Sequence, residues 1–122
     1  MEKKYLTISA LTDYIKYKFD SDPHLQNVHV SGEISQIYLH KFSGHMYLTL
    51  KDENAQIKAV MFRSDNQSLN FTPEAGMSVF VSGNVSVYNK TGEYQLYIKK
   101  MEPSGIGALY LQFEQLKEKL QK

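Results

Sequence analysis

The 122-residue chain contains no cysteine and no tryptophan, and it has only three prolines. Without cysteine, the chain can form no disulfide framework, no cysteine-ligated zinc site and no thiol active site. No apolar run approaches the ~18 residues of a membrane-spanning helix, and the polar start Met1-Glu2-Lys3-Lys4 is unlike a signal peptide, so we expect no membrane association. The 14 lysines and arginines nearly balance the 13 acidic residues, which excludes a polybasic tail but not a local basic patch.

The residues that are abundant indicate one globular domain rich in strands. Apolar residues make up 42% of the chain, and nine tyrosines and six phenylalanines give it a large aromatic share. Ser9 is predicted to cap a helix whose apolar residues recur at helical spacing up to Phe19. From Asn27 the apolar period changes to two, which predicts strands over residues 28–35, 46–51, 56–63, 77–88 and 93–101.

The layout of these strands is typical of an OB-fold. Gly32 and Gly83 interrupt the first and fourth strands, where a coiled barrel needs a bend or a bulge. A long loop over residues 38–44 and a polar connection over 64–74, with room for a short helix, separate the strands. We therefore predict a mainly β fold, a five-stranded OB-fold Greek-key barrel with an N-terminal helix and a C-terminal linker helix. The predicted divisions are a helical extension over residues 1–24, the barrel over 25–103, and the start of a linker helix to a further domain over 104–122.

No pattern for catalysis is present. The four histidines lack the i, i+4 spacing of a helical metal site, and no carboxylate cluster accompanies them. The only adjacent acidic pair in the middle of the chain, Asp52-Glu53, falls in a predicted hairpin turn, where an aspartate hydrogen-bonds the backbone. No glycine-rich phosphate loop occurs. We therefore expect no catalytic residue, no metal site and no cofactor, and we expect the chain alone to hydrolyse nothing.

The outer face of strands two and three combines aromatic and basic residues. Opposite the core-facing positions lie Tyr47, Lys58 and Phe62, with Arg63 next in sequence. The loops that rim this face in an OB-fold add Lys41, Phe42, His45, Tyr88, Lys90 and Tyr94. Rings that stack on bases and cations that follow the backbone are typical of single-stranded nucleic acid binding. An ordinary sheet surface is an equal alternative, in which Phe62 packs under the short helix and Tyr47 pairs across strands.

Several of these segments resemble a known family. The strongest are VHVSGEIS at residues 28–35, SGHMYLTLKD at 43–52 and AVMFR at 59–63, and GEYQ at 92–95 and MEP at 101–103 agree with them. In this order they resemble the start of exodeoxyribonuclease VII large subunits, and the resemblance covers nearly the whole chain. Gln36-Ile37 departs from the Asn-Phe that the family usually has at this point.

The resemblance implies an OB-fold that binds single-stranded DNA and precedes a nuclease domain outside this chain. The whole enzyme would degrade single-stranded DNA to oligonucleotides in DNA repair in the bacterial cytoplasm, with small subunits bound by later regions. Carried onto this sequence, the first candidates for DNA contact are Phe62 and Arg63, followed by His45, Tyr47 and Lys58. The loop residues Lys41, Tyr88, Lys90 and Tyr94 follow from the OB-fold analogy. Two other functions stay open, a barrel that docks onto protein and an RNA-binding barrel of cold-shock type.

Overall fold

A closed β-barrel forms the body of the protein. The computed structural model describes residues 3–104 together with 114, 115 and 117. Its elements are α1 (Ile8–Asp20), β1 (Val28–Leu39), β2 (Met46–Lys51), β3 (Gln56–Met61), α2 (Arg63–Asn66), β4 (Ser78–Val87) and β5 (Tyr94–Pro103). The strands close in the order β1-β2-β3-β5-β4, which confirms the mainly β, five-stranded OB-fold barrel with an N-terminal helix. The predicted linker helix over 104–122 lies almost wholly outside the described residues.

The barrel interior is filled by alternate residues of every strand. The inward-facing Ile34, Leu50, Met61, Leu96 and Ile98 are all almost completely buried. Burying each such side chain stabilises the fold by about 1.5–3 kcal/mol, so the core alone specifies which face of each strand points inward. All strand pairs are antiparallel except β3 and β5, which run parallel at the seam that closes the barrel.

Strand β1 serves two sheet edges. Residues 28–33 pair with β4 and residues 33–39 pair with β2, so Glu33 marks the point where β1 changes partner. Of the bend or bulge predicted at Gly32, the bulge is not there, because Gly32 pairs regularly with Val79 and the register shifts three residues later, between Ile34 and Gln36. Ser35, the residue that the shift leaves over, donates its hydroxyl to a β2 carbonyl at 3.1 Å. The extra residue therefore lies just after the point where β1 changes partner, and it adjusts the alternation of β1 to that of β2.

The register is irregular at Gly83, the glycine that the sequence singled out, although β4 itself runs unbroken from Ser78 to Val87. Ser82 pairs with Lys100 while Gly83 pairs with Ile98, so Lys99 is an extra residue on β5. A side chain at Gly83 would place its Cβ only 1.9 Å from the carbonyl oxygen of Tyr97. Glycine is therefore needed here because the backbones approach too closely for any Cβ.

The loop between β1 and β2 is shorter than predicted. β1 extends to Leu39, and His40 and His45 close a four-residue loop, in which the His40 N–H donates to the His45 carbonyl at 2.9 Å. Gly44 takes a φ of +74°, and its N–H donates to the His40 carbonyl. The extra residue at Ser35 shifts the alternation by one position, so the second half of β1 does not look like a strand in the sequence. The loop between β4 and β5 has the same geometry, with a φ of +73° at Gly92.

Helix α1 lies on the outside of the barrel. It begins after Thr7 and not after the predicted Ser9, because the Thr7 hydroxyl accepts the N–H of Ala10 at 3.0 Å. No residue of α1 is buried, and its last residue attaches it to the sheet. The Asp20 carboxylate accepts hydrogen bonds from the Lys16 ammonium at 2.6 Å and from the Ser86 hydroxyl of β4. Both bonds lower the pKa of Asp20, and the bond from Lys16 has the larger effect. No helix within the described residues is long and apolar enough to span a membrane.

Candidate nucleic-acid interface

A row of tyrosines crosses the outer surface of four strands. Tyr38 of β1 stands opposite Tyr47 of β2, Tyr47 stands opposite Val60 of β3, and Val60 stands beside Tyr97 of β5. Because alternate residues of a strand share a face, all four side chains point away from the core. Val60 is nevertheless only 7% exposed. The row therefore has an apolar floor between its rings.

This row opens into a shallow groove, which we call the front groove. The groove has a volume of about 590 Å³, and its outward side chains are Gln36, Tyr38, Tyr47, Thr49, Lys58, Val60 and Gln95. It lies on the outer surface of β2 and β3, the binding face of other barrels of this fold. The face that the sequence predicted for binding therefore exists as a concave surface.

At one end of the front groove three rings form what we call the aromatic corner, composed of His45, Phe62 and Tyr97. The ring centroid of Phe62 lies 5.0 Å from that of His45 and 5.9 Å from that of Tyr97. The ammonium of Lys99 lies 5.7 Å from the centre of the Phe62 ring. Burial raises the pKa of the Tyr97 hydroxyl, so this phenol stays neutral at any physiological pH. The corner thus combines flat apolar rings with an adjacent cation.

Phe62 and Arg63 do not close β3 as predicted. The strand ends at Met61, Phe62 is the N-cap residue of α2, and Arg63 is its first helical residue. The early N–H groups of a helix lack partners within the helix, and here the Nδ1 atom of His45 accepts the N–H of Arg63 at 3.1 Å. The side-chain amide of Asn66 donates to the carbonyl oxygens of Gly44 and Met61. Helix α2 therefore fastens the β1–β2 loop beside the aromatic corner.

The stem of Arg63 packs along this loop. A side chain at Gly44 would bring its Cβ to 2.9 Å from the Cδ of Arg63, so the arginine stem lies directly against the Gly44 backbone. The guanidinium itself is exposed and forms no ion pair with any residue in the described part of the chain. Arg63 thus offers an unpaired fork at the edge of the aromatic corner.

Two lysines of this surface are held by carboxylates. Lys58 lies 3.7 Å from Glu93 at the end of the β4–β5 loop, and Lys99 lies 3.5 Å from Asp65 in α2. Both side chains of the Lys58–Glu93 pair are more than half exposed, and such pairs typically stabilise a fold by only 0–1 kcal/mol. A phosphate can therefore displace Glu93 at low cost, whereas the Asp65 carboxylate beside Lys99 is only 24% exposed. The cations that stand alone on the two rim loops are Lys41 and Lys90, both exposed at the loop tips.

A second series of aromatic rings lies along the β1–β2 loop. The His40 ring lies 6.3 Å from the ring of Tyr38 and 6.1 Å from the ring of Phe42. Phe42 is 95% exposed at the tip of the loop. Ser43 orients His40, because its hydroxyl lies 2.8 Å from the His40 Nδ1 atom. The rings therefore lead outward from the tyrosine row.

The structure brings together most of the residues that the sequence singled out, but not all of them. His45, Phe62 and Arg63 meet at the aromatic corner, and Tyr47 and Lys58 lie along the front groove. Lys41 and Phe42 lie on the β1–β2 loop, and Tyr88 and Lys90 lie at the β4–β5 hairpin. Tyr94 stands apart, because its ring is 6.4 Å from that of Phe19 and faces α1.

Sequence reasoning missed Tyr38, His40, Tyr97 and Lys99. Tyr97 alternates with the buried Leu96 and Ile98, which marks it as outward-facing, but its position beside Val60 depends on the parallel closure of the barrel. No group of three histidine, aspartate or glutamate side chains within residues 3–104, 114, 115 and 117 lies close enough together to hold a metal ion.

Comparison with known proteins agrees with this geometry. A family model described as an OB-fold nucleic acid binding domain matches residues 6–102. The exodeoxyribonuclease 7 large subunit of Oceanobacillus iheyensis is 57% identical over all 122 residues, and that of Bacillus subtilis is 56% identical over 119 residues. These alignments cover 27% and 26% of the two relatives. The chain thus spans about a quarter of the length of the curated relatives it matches.

Solved structures share the same barrel at low sequence identity. The Stn1–Ten1 complex of Schizosaccharomyces pombe has a TM-score of 0.56 at 18% identity, covering 79% of this chain and 72% of the other. A replication protein A heterotrimer bound to single-stranded DNA has a TM-score of 0.54 at 13% identity, covering 80% of this chain and 75% of the other. At these identities the likeness shows the fold alone. Because the family model matches most of its length, the chain belongs to the family of OB-fold nucleic acid binding domains, and it is similar over its whole length to exodeoxyribonuclease 7 large subunits.

Proposed function

We propose that this chain binds single-stranded DNA in the front groove and at the aromatic corner, and that it holds the strand for exonucleolytic degradation by a catalytic domain outside the chain. The observation that carries the proposal is the aromatic corner itself. The Phe62 ring lies within 6 Å of both the His45 ring and the Tyr97 ring, with Lys99 over it and the unpaired Arg63 next to it in sequence.

The rings supply affinity that does not depend on sequence. Every base has a π-face, and stacking on an aromatic side chain contributes about 1–3 kcal/mol per base. Tyr47 and Phe62 are 42% exposed and half-buried respectively, so each can contact a base while packing supports its ring. A nuclease that degrades strands of any sequence needs this kind of binding.

The cations supply a salt-dependent contribution. Arg63, Lys41, Lys58 and Lys99 surround the rings, and three or four of them can contact phosphates. Each phosphate contact to a single strand contributes about −0.7 to the slope of log affinity against log salt concentration. The expected slope is therefore about −2 to −3.

The similarity to much longer nuclease subunits extends the proposal to the whole protein. We place the DNA-holding barrel at residues 25–103, with a helical extension before it and a linker towards the catalytic domain after it. The complete protein would act on single-stranded DNA in the bacterial cytoplasm, in DNA repair, and its small-subunit partners would bind elsewhere along it.

Fluorescence anisotropy with the 122-residue chain tests the proposal. A labelled oligothymidine of about 20 nucleotides covers the upper end of a single OB-fold site. We expect saturable binding that weakens with salt, and no comparable binding to a blunt duplex. Competition with an oligouridine of equal length separates DNA from RNA binding, since only RNA carries the 2′-hydroxyl. Absence of binding by the folded protein, or preference for the uridine strand, would refute the proposal.

A further inference from the structure

The bulge on β5 places two lysines side by side on the outside of the barrel. Strands normally alternate, yet Lys99 and Lys100 are both exposed while Ile98 and Met101 on either side of them are buried. The cause is the register shift opposite Gly83, which inserts Lys99 as an extra residue. Bulges re-aim side chains in this way, and they are frequent beside functional sites.

These lysines line a groove on the side of the barrel away from the front groove, which we call the rear groove. It begins at Phe62, Tyr97 and Lys99, and ends beside Phe80. Its three segments are continuous because neighbouring segments share lining residues: Asn84 and Lys99 join the first to the second, and His29, Ser82 and Lys100 join the second to the third. The segments have volumes of about 330, 440 and 440 Å³.

The chemistry of the rear groove fits a nucleic acid strand. Lys100 forms no ion pair within the described residues, and Phe80 is 50% exposed although it is a large apolar ring. Lys99 is shared with Asp65, whose carboxylate lies 3.5 Å from the lysine ammonium, so a phosphate at Lys99 displaces that carboxylate or binds beside it. Two further carboxylates line the groove itself. The Asp20 carboxylate is occupied by hydrogen bonds from Lys16 and Ser86, and Glu102 stands opposite Phe80 at the far end.

We propose that the rear groove binds a second segment of the same DNA strand, with Lys99 and Lys100 on successive phosphates and Phe80 stacked on a base. The inference rests on the proposed function, because Phe62 and Tyr97 of the aromatic corner also line the start of the rear groove. From β3 across β5 and β4 to β1 the path covers three strand spacings of about 4.8 Å, or about 14 Å. At 3.4 Å per stacked nucleotide, that distance accommodates about four nucleotides beyond those on the front groove.

The test compares two lengths of oligothymidine on the 122-residue chain. A strand of 5 nucleotides fills the front groove only, whereas a strand of 12 nucleotides reaches both. We expect Lys100→Gln to leave affinity for the short strand within twofold and to weaken binding of the long strand about three- to tenfold. Its salt slope for the long strand should flatten by about 0.7, the value of one phosphate contact. Phe80→Ser should weaken binding of the long strand without changing the slope.

Lys18→Gln is the matched control. It removes the same charge, but Lys18 is 200° around α1 from Lys16 at 100° per residue, so it points away from the barrel. We expect it to leave both affinities unchanged. The rear-groove proposal would be overturned, with the front groove unaffected, by either of two results. One is that Lys100→Gln weakens binding of both strand lengths equally. The other is that it weakens binding of the long strand no more than Lys18→Gln does. If the wild-type chain bound neither strand, the proposed function would fall as well.

Discussion

Glu93 is expected to restrain DNA binding, so its removal should increase affinity. Its carboxylate lies 3.7 Å from the ammonium of Lys58, on the wall of the front groove. A strand that uses Lys58 must displace this carboxylate or bind beside it. The substitution Glu93→Gln keeps the shape of the side chain and removes the charge. Because both partners of the pair are more than half exposed, its loss should change the free energy of unfolding by less than about 1 kcal/mol.

The size of the effect follows from the geometry. A phosphate oxygen bonded to Lys58 at about 2.8 Å would lie within about 6.5 Å of the Glu93 carboxylate. Two unit charges at that separation repel by about 0.6 kcal/mol in water, which is the appropriate medium for a pair this exposed. We therefore expect binding to tighten about two- to threefold at 0.01 M salt, and less than twofold at 0.15 M, where the Debye length is about 8 Å. Glu93→Lys doubles the charge change, so its gain should be about five- to ninefold at low salt.

Anisotropy titration of the 20-nucleotide oligothymidine at the two salt concentrations measures these gains. Glu53→Gln is the control, because it makes the same change in net charge in the β2–β3 turn, where Glu53 forms no ion pair within the described residues. The control should tighten binding by less than about 1.5-fold. Gains at Glu93 that do not exceed the control, or that persist undiminished at 0.15 M salt, would show that the strand does not pass Lys58.

Three further predictions separate the roles of individual residues. Phe62→Leu should weaken DNA binding without changing the salt slope, whereas Arg63→Ala should flatten the slope by about 0.7, and equal slopes would contradict these roles. Gly83→Ala should destabilise the barrel by about 2–4 kcal/mol in urea unfolding, because its Cβ would fall 1.9 Å from the Tyr97 carbonyl, and an unchanged midpoint would disprove that close approach. Hydrogen bonds from a lysine one turn earlier and from a β4 serine lower the pKa of Asp20. The contribution of Asp20 to α1 docking is therefore fully present above the unfolded pKa of about 3.9. It is lost as the pH falls through the lower pKa of the folded state. The protection of the α1 amides, measured relative to their intrinsic exchange rate at each pH, should therefore fall below about pH 4 in the wild type, and Asp20→Asn should abolish that pH dependence.

Much of the fold could be predicted from the sequence because the core imposes a period of two. β2 was predicted with the observed bounds, and Gly83, predicted to interrupt β4, marks the register shift between β4 and β5. The turn at Asp52 also behaves as predicted, because its carboxylate accepts the N–H groups of Asn54 and Ala55, which lower the pKa of Asp52. The errors lie where the alternation is shifted, as at Ser35, and where two candidate caps compete, as at the start of α1.

The candidate site could be predicted only in part. Outward alternation on β2 and β3 identified Tyr47 and Lys58, since both strands are regular and half-buried. Tyr97 could not be placed beside Phe62, because the closure of β3 on β5 joins residues more than thirty positions apart. The neutralisation of Lys58 by Glu93 likewise depends on a contact between separate hairpins.

Alternation of apolar residues and the positions of glycine by themselves determined the strands, their inward faces and the OB-fold, because burial of one face is a local property of each strand. Tertiary structure alone decided which rings meet, which lysines are paired and which are free. It also decided that Lys99 and Lys100 share a face, because a single extra residue, opposite a glycine on a distant strand, cancels the alternation that the sequence displays. These properties depend on strand register and barrel closure, which no local segment of the sequence can determine by itself.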